Sequence, residues 1–471
     1  MDDKAYLARK HREIELIAGC FAAPVDATVP RSAADAIDEK FRLAGALRAE
    51  RSLSSWAITE TARPEIQQWR VGAYAFSFGY QRADLEVRGP SIYDVPGRRS
   101  ELRQYTLYTG SGMSAVAVVF TALLRVRKRV HLLASRGFYS ETRELLESLG
   151  EQVALAITGS RSGKRGAASR SWPAESVSST DVMRVLLVDS CVSTGFENYR
   201  DARPDDFDVV VLDTTCFWRT SARIRRVVAW ASQAHLPLVL VRSHAKLDAL
   251  GIEYGRLGSV VLLWQPANAR AAWMRDFRKA VEDSSRLYGA AAIPAHFPPF
   301  TGTEAYERAS RARTAAIVRC TRRMALHLAL ALGRDAVRRF QHGLYLALIP
   351  GRDMHIDDVK RAADDLYRTL ARQGLLVKHA GSFGFDFVAV EWFYDAIARR
   401  NVIRVTGADL PFALVDRVAD GIEAWWSRHR MSGTPSTRAH PAGPLQPLRR
   451  EEPGSDAASG QGAVVLGRDG T

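Results

Sequence analysis

The chain has 471 residues, 46% hydrophobic and 25% charged, with a formal net charge of +14; this length allows a large core plus a second domain, and the balance is that of a soluble globular protein. No uncharged apolar run approaches the roughly eighteen residues that a membrane span needs, and the acidic start "MDDKAYLARKHREIELIAGC" carries no secretory pattern, so the expectation is a cytoplasmic protein. Basic residues are dispersed, the densest short runs being "RVRKRV" at 125–130 and "RIRRVV" at 223–228; attraction to anionic small molecules is expected, specific nucleic-acid binding is not.

In chain order, a polar helical pattern runs from Glu39 to about Arg70, followed by the aromatic, loop-rich segment Val71–Gly97. That segment is too long for a plain connector and reads as a strap over the body or over a partner subunit. The turn-like "YTGSG" opens the helix "GMSAVAVVFTALLR"; the strand "RVHLLAS", the helix "ETRELLESLG" and the strand "EQVALAI" then alternate as in an α/β layer. After a Gly/Ser-rich loop at 159–180 come "VMRVLLVD" and "FDVVVLD", apolar strands that each end in aspartate. The helix "SARIRRVVAWASQAH" leads to a buried strand, Leu236–Val241, that delivers Ser243, His244 and Lys246.

The proline-rich "IPAHFPPFTG" at 293–302 opens a smaller α+β unit: a long helix with Arg311, Arg322 and Arg323, the strand "GLYLALIP", the helix "DDVKRAADDLYRTLARQG", the strands "LLVKHAG" and "NVIRVTG", and a last helix. Asp409 and Pro411 read as capping chemistry for that helix, and Trp425 and Trp426 as packing anchors. Beyond Met431 there is no Phe, Tyr or Trp, which reads as a disordered tail. The expected organisation is 1–98, a helical and strap segment; 99–292, a large α/β domain; 293–430, a small α+β domain; and 431–471, the tail. Cys20, Cys191, Cys216 and Cys320 match no metal-ligand spacing; no metal is expected, and they read as reduced, mostly internal residues.

Ligands of open α/β sheets sit beyond the carboxyl ends of the strands, so Asp189, Asp213 and Lys246 should converge on one cleft. A lysine made reactive there forms a Schiff base with a carbonyl. If the carbonyl is that of pyridoxal phosphate, three more groups are needed: an acid for the ring nitrogen, a face to stack on the ring, and donors for the phosphate. Asp213 or Asp189 supplies the first, with Asp213 favoured; Tyr139 supplies the second; Ser111, Gly112 and Met113, at a helix start, supply the third.

These residues resemble, as a set, the fold-type-I pyridoxal-phosphate enzymes, within them the cysteine/methionine-metabolism group. "SGM" at 111–113 matches the phosphate cup, "YSET" at 139–142 stands at the Tyr-Gly-Gly-Thr, "LDTTCF" at 212–217 at the Val-Asp-Asn-Thr-Phe, and "SHAK" at 243–246 at the Ser-x-Thr-Lys. The segment 400–425 resembles the closing region whose arginine, here Arg404, grips the substrate carboxylate; the alternative for Arg404 is an ion pair with Asp409. "DSCVSTG" at 189–195 matches the family's Ser-Pro-x-Asn-Pro loop only loosely, and the interval from Asp213 to Lys246 is longer than the family's. The resemblance implies a mostly parallel sheet with helices on both faces, and a homodimer or dimer of dimers to which Tyr93 and Arg98 or Arg99 contribute across the boundary. It further implies an amino-acid substrate activated as an α-carbanion, with side-chain elimination, replacement or cleavage favoured over amino transfer. Arg256 is a further candidate for an anionic group. The reading from another class is a non-catalytic, basic nucleotide- or nucleic-acid-binding α/β protein.

Overall fold

In the computed structural model, which describes residues 3–55, 67–78, 86–88, 102–158, 181–429 and 431, the chain opens with two helices, α1 (Asp3–Ala18) and α2 (Ala33–Ser55). The helical pattern read from Glu39 to Arg70 therefore begins earlier and ends, among the described residues, at Ser55. Part of the expected strap is a small antiparallel sheet of β1 (Gln67–Val71), β2 (Tyr74–Phe78) and β3 (Glu86–Arg88). It packs on its own chain: Phe76 lies edge-on to Phe297, 4.7 Å between centroids, and Val71 and Tyr74 share a core with Tyr108 and Leu257. The rest of the strap, including Tyr93, Arg98 and Arg99, lies outside the described residues, as do the loop at 159–180 and the tail from 432 on.

The apolar runs form one seven-stranded sheet. Its strands are β4 (Arg103–Thr109), β5 (Arg129–Ser135), β6 (Val153–Thr158), β7 (Val182–Asp189), β8 (Val209–Asp213), β9 (Leu238–Ser243) and β10 (Gly258–Trp264), in the order β4-β10-β9-β8-β7-β5-β6. Only β10 runs against its neighbours, so the expected α/β architecture is present as a mixed, mostly parallel sheet. Helices α3 (Gly112–Val126), α4 (Ser140–Ser148), α5 (Ala222–Gln233) and α6 (Met274–Leu287) flank it and bury Val119, Leu146, Val227 and Phe277 into the same core. Strands covered in this way need no polar alternation, which is why β8 reads "VVVLD".

A second sheet follows the long helix α7 (Glu304–Leu332). Its strands are β11 (Val337–Arg339), β12 (Tyr345–Leu348), β13 (Val377–His379), β14 (Val388–Asp395) and β15 (Arg400–Thr406), ordered β11-β12-β15-β14-β13. With α7, α8 (Ile356–Arg372) and α9 (Phe412–Arg428) it encloses a core that includes Leu328, Leu366 and Ile403. Trp425 and Trp426 are both fully buried there, and Trp425 Nε1 donates to Asp365 at 2.7 Å, so they anchor helix to core. Asp409 does not cap α9. Pro411 occupies the cap position without a side-chain hydrogen bond, and Asp409 is instead drawn inward by cations from α1.

That inward pull belongs to a buried ionic cluster. Lys10 of α1, Lys40 of α2 and Arg313 of α7 surround Asp386, with Lys10 and Lys40 each at 2.7 Å and Arg313 in contact. Glu13 bonds Lys40 at 2.6 Å, and Asp409 takes a two-bond grip from Arg9 at 2.6 Å each. Burial opposes ionisation of the three carboxyl groups, but Lys10, Lys40 and the arginines hold all three below the usual carboxylate range. Arg313 also donates to the Gly384 carbonyl at 2.8 Å, and a side chain at Gly384 would press on the Lys246 carbonyl. The cluster thus braces the loop that holds Lys246.

Candidate functional site

The carboxyl ends of β5, β7, β8 and β9 share one edge of the sheet because these strands are parallel neighbours. Asp189 and Asp213 are register partners there. Asp189 is buried and accepts from the Tyr139 amide at 2.8 Å and the Cys191 amide at 2.7 Å. Asp213, partly exposed, accepts from the Thr215 amide at 2.7 Å through one oxygen. Neither carboxylate has an ion-pair partner among the described residues. Burial and the neighbouring Asp213 push the Asp189 carboxyl up to about 7, and burial raises Asp213. The Arg242 guanidinium opposes the rise at Asp213 without pairing with it.

The start of α3 lies beside the end of β9. Gly258 pairs with both Thr109 and Ser243, which draws the turn after β4 against Ser243. A Cβ on Gly112 would stand 2.7 Å from Ser243 Cβ, so only glycine permits this approach. Ser111 caps the helix by accepting from the Ser114 amide at 3.0 Å, leaving the Gly112 and Met113 amides without an intrahelical acceptor. Met113 packs at the margin of the main core. The Ser243 amide donates to Thr215 Oγ1 at 3.0 Å and so ties the end of β9 to the segment carrying Asp213.

Lys246 stands three residues past β9, not directly at its end. Its Nζ donates to Ser382 Oγ at 2.6 Å and lies 3.6 Å from Glu253 and 5.8 Å from the Phe383 ring centroid; the side chain keeps 24% exposure. Tyr139 occupies the cap position of α4 without a side-chain hydrogen bond to it and packs with Cys191, Tyr345 and Phe383. Tyr345 in turn sets its hydroxyl 3.1 Å from Cys191 Sγ.

Arg404 is nearly buried, with its guanidinium 5.4 Å from the Tyr345 ring and 5.7 Å from the Phe393 ring. The alternative considered from sequence, a pair with Asp409, does not form: Arg404 Nη2 bonds Glu391 at 2.6 Å, its cross-strand partner. Arg404 Nε is buried with no hydrogen-bond partner. A Cβ on Gly381, next to Ser382, would stand 2.8 Å from Glu391 Oε1, so Glu391 lies beside the loop that holds Ser382. Arg256 is exposed, and its carbonyl accepts from His296 Nδ1 at 3.2 Å. The structure does not join it to the cluster.

His244, next to Lys246 in sequence, turns inward. Its Nδ1 meets Asp248 and its Nε2 meets Ser259, both at 2.8 Å, while Arg242 grips Asp248 with two bonds. All four side chains are fully buried, so this Asp-His-Ser series is a strut under the lysine turn. His327, Asp420 and Glu423 gather within 4.8 Å on α7 and α9 as solvent-reached ion pairs. Thr215, Ser382, Tyr345 and Glu391 were not read from the sequence. The Gly-Ser-Phe-Gly loop at 381–384 was a visible signal for Ser382; Glu391 had none, because its partner is set by strand pairing.

The chain matches no protein-family model and no curated protein. Among solved structures it is similar to a cystathionine gamma-lyase from Micromonospora echinospora, at 16% identity and a TM-score of 0.45 over 68% of this chain and 82% of that one. A cystathionine gamma-synthase from Xanthomonas oryzae pv. oryzae, solved with aminoacrylate and cysteine, gives 14% and 0.44 over 69% and 82%. A Methanococcus jannaschii protein with an active site similar to kynurenine aminotransferases gives 12% and 0.42 over 68% and 75%. At such values these likenesses carry no argument, and function rests on the residues themselves.

Proposed function

We propose that this chain is a pyridoxal-phosphate-dependent enzyme, a lyase or transferase that acts on an amino acid by removing a proton from its α-carbon, with side-chain elimination, replacement or cleavage as the outcome. The observation that carries the reading is the carboxylate pair at the sheet edge, without an ion-pair partner among the described residues, beside the strand β9 whose end the start of α3 approaches and after which the chain turns to Lys246. The residues present fit the group. When bound, pyridoxal phosphate supplies a carbonyl for an amine and a ring that withdraws electrons from the substrate α-carbon. Lys246 is the amine that holds it, oriented by Ser382. The Gly112 and Met113 amides, with Ser111 and Ser243, hold the phosphate at the positive end of α3. Asp213, held by Thr215, keeps the ring nitrogen protonated; Asp189, whose two oxygens each accept an amide, sets the position of Asp213 and Tyr139. Tyr139 covers a ring face.

The test is direct. Purified protein mixed with the cofactor and then gel-filtered is expected to retain a visible absorbance band that Lys246→Ala lacks, with the circular dichroism of the two unchanged. No retained cofactor by a folded wild-type chain would point to the binding-protein reading. Release of keto acid that stops at one equivalent per chain until a second keto acid is added would move the chemistry to amino transfer.

Arg404 is the proposed grip on the substrate carboxylate: Glu391 holds Nη2, and Nε is buried without a hydrogen-bond partner. Arg404→Lys keeps the charge but loses the fork. The expected result is an unchanged cofactor spectrum with the apparent KM for amino acids raised about tenfold or more, one charge-assisted hydrogen bond being worth that much, while an amine lacking the carboxylate is unaffected. Equal binding of amino acid and amine by the wild type would remove Arg404 from this role. A homodimer is proposed as the working unit, and a light-scattering mass of a single chain at the active concentration would count against it.

A further inference from the structure

On α7, β11 and the loop that follows β7 lies a cavity of about 600 Å³ with an unusual charge. Arg322, Arg334, Arg338 and Arg339 line it against one carboxylate, Asp335. Arg338 is already paired with Asp395 at 2.9 Å. Arg322, Arg334 and Arg339 have no ion-pair partner among the described residues, although the neighbouring Arg323 on α7 is gripped by Asp416 with two bonds. Arg322, Arg334 and Arg339 are exposed residues on the rim of this hollow, and guanidinium groups sharing a hollow suit an anion through planar two-bond contacts.

The floor of the hollow is built. Phe340 and Tyr345 are buried, with ring centroids 4.5 Å apart. Gln341 is fixed at both ends: its amide donates to the Ser193 carbonyl at 3.2 Å, and its side-chain oxygen accepts from the Phe196 amide at 3.0 Å. Gly343, at φ 74°, brings the chain onto Val318, where a Cβ would come within 3.2 Å of that side chain. Ser193 and Thr194, from the loop that begins at Asp189, form another wall. Tyr345 lines the cavity and also reaches Cys191 next to the carboxylate pair.

We infer that this cavity binds a multiply charged anion of small size, a phosphate ester or a polycarboxylate, through Arg322, Arg334 and Arg339. The inference does not depend on the cofactor reading, since none of these arginines touches the Lys246 cluster. Two sources share the chemistry: the acidic far end of a ligand that also reaches Lys246, and a free anion acting as an effector through Tyr345.

The test is calorimetric titration of the full chain, with pyridoxal phosphate present, using inorganic pyrophosphate and citrate at constant ionic strength. Saturable binding of at least one probe to one site per chain is expected. Arg334→Ala/Arg339→Ala should weaken it at least about tenfold, whereas Arg361→Ala/Arg368→Ala, which removes the same formal charge from exposed positions on α8, should change it less than about twofold. Val318→Glu, a carboxylate placed at the exposed rim, should weaken it comparably and serves if the arginine variant does not fold. O-phosphoserine as a third probe separates the sources: loss of its affinity in Lys246→Ala assigns one spanning ligand, and unchanged affinity assigns a free anion. Absence of saturable binding by every probe, or equal weakening in the cavity and the α8 variants, overturns the inference.

Discussion

Asp386→Asn is expected to destabilise the chain by about 3–5 kcal/mol, the cost of leaving buried cations uncompensated. Asp386 is the centre of the cluster, meeting Lys10, Lys40 and Arg313, each of whose side chains is at most 3% exposed. Asparagine keeps the shape and removes the charge. The control is Asp416→Asn, which breaks the exposed pair with Arg323 at 2.6 Å and should change stability by less than about 1 kcal/mol. Urea midpoints of the two variants decide it; equal, small shifts would show that the cluster is solvated. Because Glu13, Asp386 and Asp409 have lowered values, their stabilisation is complete above the ordinary carboxylate range and disappears as pH falls through the folded values. Lys40 acts at the other end. Burial and Arg313 pull it down from 10.5 to about 8, so its cost is fully present below pH 8 and is relieved as pH rises toward 10.5.

The second large effect concerns the carboxylate pair. Asp213→Asn should leave cofactor binding largely intact and lower kcat about a hundredfold or more, the scale of removing one preorganised charge from a reacting centre. Asp189→Asn should do less to kcat, because Asp189 acts through position: its two oxygens each accept one amide, and asparagine keeps one of those two bonds. Rapid-mixing assays of both variants with the same amino acid give the comparison. If Asp189→Asn abolishes turnover and Asp213→Asn does not, the two roles are exchanged.

Much of this centre was readable before the structure. The continuous apolar runs placed β7, β8 and β9, the residues at or just past their ends named Asp189, Asp213 and Lys246, and "SGM" at 111–113 marked the helix start that the structure sets beside Ser243. What was not readable depends on partners far away in sequence. The charges of α1 and α2 look like those of a solvated helix until Lys10 and Lys40 meet Asp386, more than 340 residues later. The capping role expected for Asp409 failed for the same reason: two cations on α1 outcompete a helix start. Arg404 was named from the sequence, but not Glu391, because β14 was not recognised as a strand and the cross-strand pair is invisible without it. Arg256 follows the lysine segment in sequence, yet faces solvent.

The most direct measurement is chemical. The chain is incubated with pyridoxal phosphate, reduced with borohydride and digested, and the peptide carrying the cofactor's mass is sequenced by fragmentation. The label is predicted on Lys246 alone, at one per chain, and absent from Lys246→Ala. Label spread over exposed lysines such as Lys128 and Lys360, in equal yield from wild type and Lys246→Ala, would contradict a cofactor site at this sheet edge.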